Sequence, residues 1–228
     1  AFDVDVHVVF GQTECNSVIG NNGRLMKIKP GSLGRPMPGH EVAIVDAAGQ
    51  VLPRGERGNI AFRRPDPKMM LGYWNQPDAT KEKFVGDWML TGDLGLCDDE
   101  GYFWFHARED DVISSSGYRI GPGEIEDTLL KHPAVAMAAV VGVPDTKRGQ
   151  AIKAFIVPSQ CTQATEDLRQ EIRDYVKTRL AKHEAPHEIE FVHSLPLTSN
   201  GKILRRELRE QEIRRRETGA QGARPDPT

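Results

Sequence analysis

The sequence predicts an α+β protein in which a β-rich first part, residues 1–109, is followed by a smaller α+β part, residues 110–213. Before Asp110, short apolar runs alternate with turns that contain glycine or proline, which is typical of closely spaced strands. After Asp110, apolar side chains also recur at helical spacing. With 228 residues, of which 38% are hydrophobic, the chain is lean for one compact core, so two small domains fit it better.

Strands are predicted in the first part wherever an apolar run lies between two turns. Residues 4–10 form an alternating apolar run and are the first predicted strand. The other apolar runs of this part are residues 41–45, 59–62, 88–90, 94–96 and 102–105. Turns at residues 36–39, 53–55 and 65–67 interrupt them, so a β-rich subdomain is expected.

Two helices are predicted early in the second part. The first spans residues 122–131, because Pro122 suits the first helical position and Glu124 and Glu126 near its start complement the helix dipole. The second is predicted from a single apolar stripe at helical spacing. That stripe consists of Leu168, Ile172, Tyr175, Val176 and Leu180.

The remaining elements of the second part are strands and a final helix. Buried strands are predicted at residues 134–143 and 151–157, joined by a polar turn, and another strand at residues 188–192. The final helix is predicted over residues 203–213. Residues 214–228, whose end is rich in glycine, alanine and proline, are expected to be a disordered tail.

Composition and charge argue against several classes of function. The net charge of −3 gives no overall attraction to nucleic acid or to an anionic membrane. The longest apolar run, residues 134–143, is too short to cross a bilayer, and the start of the chain has no signal-peptide pattern. Arginines of the last helix alternate with glutamates, which indicates a solvated, salt-bridged face. Three cysteines without C-x-x-C spacing and seven scattered histidines indicate neither a disulfide framework nor a zinc site, so a reducing cytoplasm is expected.

Three segments place polar side chains at the ends or edges of predicted strands. The first strand leads into Thr13 and Glu14, so a hydroxyl and a carboxylate lie in the loop at its end. Asp93 ends a Thr-Gly-Asp segment between two apolar runs and is therefore held at a strand edge. Acidic, small and basic residues are concentrated in residues 108–120, where a hairpin is predicted.

A fourth segment ends in Lys202, which follows the turn-forming pair Asn200-Gly201. A phosphate loop of the G-x-x-x-x-G-K-[ST] type is excluded, because Pro196 stands where its first glycine would be and Ile203 where its hydroxyl would be. Taken alone, such a lysine indicates only an exposed surface residue. Its significance comes from the other three segments.

In this order and at these spacings, the four segments resemble those of the adenylate-forming superfamily, most closely the AMP-forming acyl-CoA synthetases. Residues 115–122 and 188–192 are most similar to the medium-chain branch of that group. The resemblance extends from about residue 8 to about residue 212.

The resemblance also implies a domain organisation. Residues 1–109 would be the carboxyl-terminal, β-rich portion of a large AMP-binding domain, and residues 110–213 a small mobile domain. The phosphate-gripping loop and most acyl-binding segments would lie upstream of Ala1. The 228 residues by themselves are therefore expected to be incomplete for turnover.

The resemblance implies a first half-reaction in which a carboxylate attacks the α-phosphorus of ATP, releasing pyrophosphate and leaving an acyl adenylate. Glu14 would hold Mg²⁺, and the hydroxyl of Thr13 would contact phosphate. Asp93 would accept hydrogen bonds from both ribose hydroxyls, and Arg108 would donate to the same sugar. Lys202 would bridge the two reacting anions and neutralise their charge as they approach.

The resemblance implies a second half-reaction in which the acyl group passes to CoA after the small domain swings about a hinge at Asp110. Ser116, Gly117 and Arg119 would then face the reacting centre. The glycine would let the pantetheine arm pass closely, and the arginine would attract the CoA phosphates.

Gly11 is implied to be an acyl-pocket residue, since enzymes restricted to acetate place a tryptophan there. An acid longer or bulkier than acetate is therefore expected. Replacing Gly11 with tryptophan is expected to shift the preference towards two- or three-carbon acids.

Together these inferences predict an acid:CoA ligase for medium-chain or aromatic carboxylic acids, with a role in fatty acid metabolism. ATP, Mg²⁺ and CoA are the expected ligands, and a homodimer is a further expectation. Two alternatives stay open. One is an amino-acid-activating domain that loads a carrier-protein thiol, and the other is a noncatalytic module derived from the small domain.

Overall fold

The structure, a computed structural model, describes residues 6–160 and 162–221, with side chains as far as residue 218. The chain divides into two compact units, and the division falls between Glu109 and Asp110. The first unit consists mainly of antiparallel strands and the second combines a mostly antiparallel sheet with helices, so the predicted α+β fold class is confirmed.

The first unit consists mainly of strands. Its elements are β1 (Val9–Gln12), β2 (Cys15–Gly20), β3 (Arg35–Pro36), β4 (Val42–Val45), β5 (Arg57–Arg63), α1 (Pro77–Glu82), β6 (Phe84–Val85), β7 (Trp88–Cys97) and β8 (Phe103–Arg108). Strands β1, β2 and β3 form one antiparallel sheet. A second antiparallel sheet has the order β4–β5–β7–β6, and β8 also pairs with β7.

The core of the first unit joins the inward-facing side chains of both sheets. It includes Val18, Ile60, Phe62, Met89 and Phe103. In β7, buried and partly exposed positions alternate, as expected for a strand with one face in the core. Cys15 and Cys97 are free thiols, whereas Cys161 lies outside the described residues.

The first strand begins later than the sequence predicts. β1 starts at Val9, which pairs with Gly20. Because Gly20 is the last residue of β2, residues 6–8 have no partner residue in β2. Residues 4–5 of the predicted strand lie outside the described residues. The turn that follows β1, residues 13–14, forms where it was expected.

The second unit begins in a short 3-10 helix, Glu109–Asp111, that crosses the boundary between the units. Its further elements are β9 (Ile113–Ser115), β10 (Tyr118–Ile120), α2 (Pro122–Leu129), β11 (Val135–Asp145), β12 (Gly149–Pro158), α3 (Glu166–Lys177), a 3-10 helix (Lys182–Glu184), β13 (Glu188–Phe191) and α4 (Arg205–Gln221). α2 begins at Pro122, as predicted. α3 begins after Thr165, whose hydroxyl caps it by accepting the N–H of Leu168 at 3.2 Å.

β12 is the central strand of the second unit's sheet. It pairs with β11 along its length, in parallel with β13, and at its start with β9, which pairs with β10. On one face, Ile125 of α2 and Ile172 of α3 pack with Val140, and on the other Leu208 of α4 packs with Phe155. Because both faces are buried, β11 and β12 are nearly continuous apolar runs, which is why the sequence reveals them.

The last helix is longer than predicted. α4 continues to Gln221, so residues 214–221, expected to begin a disordered tail, are helical. Residues 222–228 of the predicted tail lie outside the described residues. Within the described part of the chain, no helix is both long and apolar enough to cross a membrane.

An ion network holds the second half of α4 against the sheet. Lys153 of β12, whose side chain is 6% exposed, lies 2.9 Å from Glu212 of α4 and 2.8 Å from Glu190 of β13. Arg216 lies 3.0 Å from Glu212 and donates to both carboxylate oxygens of Glu188 at 2.7 and 2.8 Å. The predicted salt bridges of the helix form and Arg214 and Arg215 are largely exposed, but Glu212 is buried, so the expectation of a solvated face is wrong at that residue. Residues from β12 and β13, distant in sequence, give these charges partners.

Candidate active site

The turn between β1 and β2 presents Thr13 and Glu14. Gln12 pairs with Cys15, so Thr13 and Glu14 form the tip of the hairpin. Thr13 is exposed and Glu14 is partly buried. A carboxylate oxygen of Glu14 accepts a hydrogen bond from the Tyr73 hydroxyl, with 2.6 Å between the oxygens. Tyr73 is not among the predicted site residues, because a lone tyrosine in a loop forms no recognisable sequence pattern.

The surroundings of Glu14 keep its carboxylate ionised. Burial raises the pKa of Glu14, but the Tyr73 hydrogen bond and the charges of Lys83 and Arg108 help to bring that pKa below its usual value. Burial and the neighbouring carboxylate raise the pKa of Tyr73 to about 12, so the phenol remains a donor. Among the described residues, no group of three or more histidine, cysteine or acidic side chains is placed to hold a metal ion. A single ionised carboxylate fits Mg²⁺ when nucleotide phosphates and water complete the shell.

Asp93 lies at a bulge in β7. The two apolar runs on either side of Asp93, residues 88–90 and 94–96, both belong to this one strand. The hydroxyl of Thr91 donates to the carbonyl oxygen of Ile60 at 2.8 Å and accepts the N–H of Asp93 at 3.0 Å. Gly92 has a φ of +76°, which favours glycine. The Thr-Gly-Asp segment thus fixes the backbone of Asp93, whose side chain is 7% exposed.

Arg108 on β8 is the cross-strand partner of Asp93. Its Nη1 lies 3.1 Å from Oδ1 of Asp93. The charge of Arg108 also lowers the pKa of Glu14. The amide of Gln12 donates to the carbonyl oxygen of Thr91 at 3.2 Å and so links the turn after β1 to β7. The first unit therefore brings Glu14, Asp93 and Arg108 into one region.

Gly11 has no space for a side chain in this hairpin. A Cβ atom there would lie 2.3 Å from the amide nitrogen of Ser17 and 2.9 Å from the carbonyl oxygen of Cys15, both in the β2 backbone. A tryptophan at position 11 would require β2 to move. The expected switch in chain-length preference stays a prediction, and it requires that movement of β2.

Lys202 lies on an exposed loop of the second unit, beside the isolated bridge between Leu197 and Ile203. Its N–H donates to the Thr198 hydroxyl at 3.0 Å, and its carbonyl oxygen accepts the N–H of Thr198 at 2.8 Å. No other described residue forms a hydrogen bond or ion pair with its ammonium group. The backbone is therefore fixed while the amine is exposed.

Ser116 and Gly117 form the two-residue turn between β9 and β10. Their φ values of +51° and +84° are those of a type I′ turn, which suits the twist of a hairpin. Arg119, two residues on, is exposed. The ring of Tyr118 stacks on His183 with 3.9 Å between the ring centroids, which braces the hairpin. Asp110 is exposed in the 3-10 helix at the start of the unit.

A basic cavity of about 490 Å³ lies beside this hairpin. Its basic lining residues are Arg148, Arg173, Lys177 and Lys182, and its acidic ones are Asp145 and Glu188. The carbonyl oxygen of Arg148 accepts the N–H of Ser116 at 2.9 Å, which connects the cavity to the turn. Burial and the charge of Arg148 lower the pKa of His187, also in the lining. This cavity was not predictable from the sequence, because its cations come from separate segments.

Two family models match the chain. The model described as AMP-binding enzyme matches residues 1–74, and the model described as AMP-binding enzyme C-terminal domain matches residues 124–202. The chain belongs to the AMP-binding enzyme family. The first match contains Thr13 and Glu14, and the second ends at Lys202.

Relatives with similar sequences include two synthetases. The acetyl-coenzyme A synthetase of Bacillus subtilis (strain 168) is 46% identical over 213 residues, which are 93% of this chain and 37% of that protein. The mitochondrial acyl-coenzyme A synthetase ACSM3 of Rattus norvegicus is 46% identical over 214 residues, 92% of this chain and 37% of that protein. The chain thus spans 37% of the length of each relative.

A solved structure of similar fold is that of the anthranilate CoA ligase AuaEII in complex with anthranoyl-AMP. It matches with a TM-score of 0.83 and 37% identity, over 94% of this chain and 41% of that one. Several candidate residues lie between the two family-model matches, so their roles depend on geometry. They are Asp93, Arg108, Asp110, Ser116, Gly117 and Arg119.

Proposed function

We propose that the protein is an AMP-forming acid:CoA ligase, which joins a carboxylic acid to ATP as an acyl adenylate and then transfers the acyl group to CoA. The observation that carries the proposal is the clustering of Glu14, Asp93 and Arg108 in the first unit. A carboxylate at Asp93 offers two acceptors to the vicinal hydroxyls of a ribose, and Arg108 adds a donor. Glu14 offers an oxygen ligand to the Mg²⁺ that accompanies nucleotide phosphates, and Thr13 offers a hydroxyl.

Lys202 is proposed to supply the cation at the reacting centre. When a carboxylate oxygen bonds to the α-phosphorus of ATP and the bond to pyrophosphate breaks, negative charge is concentrated between two anions. An ammonium group on a fixed backbone with no competing partner among the described residues suits that task. The second unit would present this lysine, and later the hairpin with Ser116, Gly117 and Arg119, by swinging about Asp110.

The basic cavity favours CoA over a carrier protein as the thiol donor. CoA carries three phosphate groups, whereas a carrier-bound pantetheine has a single phosphodiester. Four cations line the cavity beside the Ser116–Gly117 turn, against two carboxylates. This excess of positive charge suits the CoA nucleotide and adds to the donor that Arg119 would provide.

The acid is proposed to be medium-chain or aromatic. The relatives argue for a broad test, because one is named for acetate, one for acyl groups in general, and the structural neighbour for anthranilate. The preference for an acid larger than acetate follows from the resemblance alone, since a side chain at Gly11 would meet the β2 backbone. A cytoplasmic location, a homodimer and a role in fatty acid metabolism stay predictions.

Pyrophosphate release by the protein in its natural full length tests the proposal. The acids supplied should include acetate, straight-chain acids up to medium length, benzoate-type acids and amino acids, each with and without CoA. We expect Mg²⁺-dependent release with larger acids and formation of the corresponding thioester when CoA is present. Release with amino acids and no consumption of CoA would support loading of a carrier protein instead. No release with any acid would contradict the proposal.

A further inference from the structure

An ion cluster ties the start of α4 to the residue that follows the proposed hinge. Its members are Asp111, Glu126, Arg205 and Arg209, here called the hinge cluster. Nε of Arg205 donates to Oε1 of Glu126 at 2.9 Å, and its Nη2 donates to the other oxygen. Nη2 of Arg209 donates to Oδ1 of Asp111 at 3.1 Å, while Nη1 of Arg205 lies 3.6 Å from Oδ2. Arg205 therefore joins both carboxylates.

The hinge cluster has a well-defined geometry. The side chain of Glu126 is 8% exposed, and its Oε1 also accepts the N–H of Val140 on β11 at 2.8 Å. The hydrogen bond to Glu126 raises the pKa of Arg205 above its usual value, so its guanidinium stays charged. A two-point contact between a guanidinium and a carboxylate fixes direction as well as distance. Because these groups are largely shielded from water, salt screens them less than it screens surface pairs.

The hinge cluster connects the proposed hinge to the segment of the second unit that contains Lys202. Asp111 directly follows Asp110, the proposed hinge. Arg205 opens α4 only three residues after Lys202. Leu204 lies between Lys202 and Arg205, and its N–H donates to the carbonyl oxygen of Pro196 at 2.9 Å. The chain from Lys202 to α4 is therefore held by this hydrogen bond and by the hinge cluster. Residues 198–204, here called the lysine loop, would therefore move with the hinge cluster in a rotation about the hinge.

We infer that the hinge cluster is a positioning device for Lys202. It holds the lysine loop in a fixed place relative to the hinge, so that domain rotation delivers the ammonium to the reacting phosphate as part of one rigid body. This inference rests on the proposed function. The four residues act through Lys202 and need not touch any substrate.

Two variants and a matched control test the inference in the protein at its natural full length. Asp111→Asn and Glu126→Gln remove one carboxylate charge each from the hinge cluster. Glu210→Gln removes a carboxylate that also binds two arginines of α4, Arg206 at 2.8 Å and Arg214 at 3.4 Å. We expect the first two variants to slow single-turnover adenylation about 10- to 100-fold. Thioester formation from supplied acyl adenylate should stay within about two-fold, as should both rates in the control.

Amide hydrogen exchange gives a readout that does not depend on activity. The amides of Lys202 and Leu204 should exchange about ten-fold faster in both cluster variants than in the wild type or the control. Thermal unfolding shows which variants are folded. If Asp111→Asn does not fold, Glu126→Gln decides the test, because it leaves the hinge segment unchanged.

Unchanged exchange in the lysine loop would overturn the inference, and so would a parallel fall in both half-reactions in an active protein. A wild-type protein that adenylates no acid would instead overturn the proposed function itself. The two failures are therefore distinguishable.

Discussion

Replacing Asp93 with asparagine tests the nucleotide site of the first unit. Asparagine keeps the shape and one acceptor oxygen, but it places an amide donor where the second ribose hydroxyl would also donate. A hydrogen bond to a charged group contributes about 1.5–3 kcal/mol. Because the Asp93 side chain is only 7% exposed, water screens little of this energy. We therefore expect a loss of about 2 kcal/mol, or about 30-fold weaker binding of ATP.

The same substitution should leave the first unit folded. Arg108, the partner that loses its ion pair, is 47% exposed, so water can solvate it. Loss of such a pair costs about 0–1 kcal/mol of unfolding free energy. Asp99→Asn is a matched control, because Asp99 is an exposed carboxylate in the same β7–β8 hairpin. It should change neither the unfolding midpoint nor the affinity for ATP.

Affinity for ATP and for 2′-deoxy-ATP in both proteins completes the test. The wild type should bind the deoxy analogue more weakly than ATP, and Asp93→Asn should lose most of that discrimination. A change in ATP affinity below about two-fold would refute the assignment of Asp93. Equal weakening of ATP and the deoxy analogue would refute it as well, because the carboxylate would then not contact the sugar.

Three further predictions concern the packing and charge described above. Lys153→Met should destabilise the docking of α4 by about 3 kcal/mol, measured by hydrogen exchange of α4 amides, because the buried carboxylate of Glu212 loses a partner. Arg206→Met, at a side chain that is 88% exposed, should leave that exchange unchanged. Tyr73→Phe removes a hydrogen bond that lowers the pKa of Glu14, so the acid limb of Mg²⁺-dependent adenylation should move to higher pH, and an unmoved limb would contradict this role. Gly11→Ala should lower the unfolding free energy by about 2 kcal/mol, because its Cβ meets β2 backbone atoms, and an unchanged urea midpoint would contradict the close packing.

The parts of the fold that the sequence predicts best are those buried on both faces or marked by a helix start. β11 and β12 are continuous apolar runs because helices cover the sheet on both sides. α2 is predictable because Pro122 suits a first helical turn. The end of α4 was not predictable in this way. Its helical continuation depends on Lys153, Glu188 and Glu190, which lie on strands far away in the sequence.

The candidate site shows the same limit. Thr13, Glu14 and Asp93 stand next to predicted strands, so their positions along the chain are enough to make them candidates. The Tyr73 hydrogen bond to Glu14 joins residues 59 positions apart, and such pairs leave no periodic signal. Glu126 illustrates the point. Its position near a helix start suggested a contact with the helix dipole, whereas it is buried against Arg205.

Replacing Lys202 with alanine in the protein at its natural full length tests the central claim most directly. Single-turnover pyrophosphate release measures adenylation, and conversion of supplied acyl adenylate to acyl-CoA measures the second half-reaction. We expect adenylation to fall at least about 100-fold while thioester formation stays within about two-fold, because the ammonium acts only while the two anions combine. Equal losses in both half-reactions, or an unchanged rate of adenylation, would contradict it.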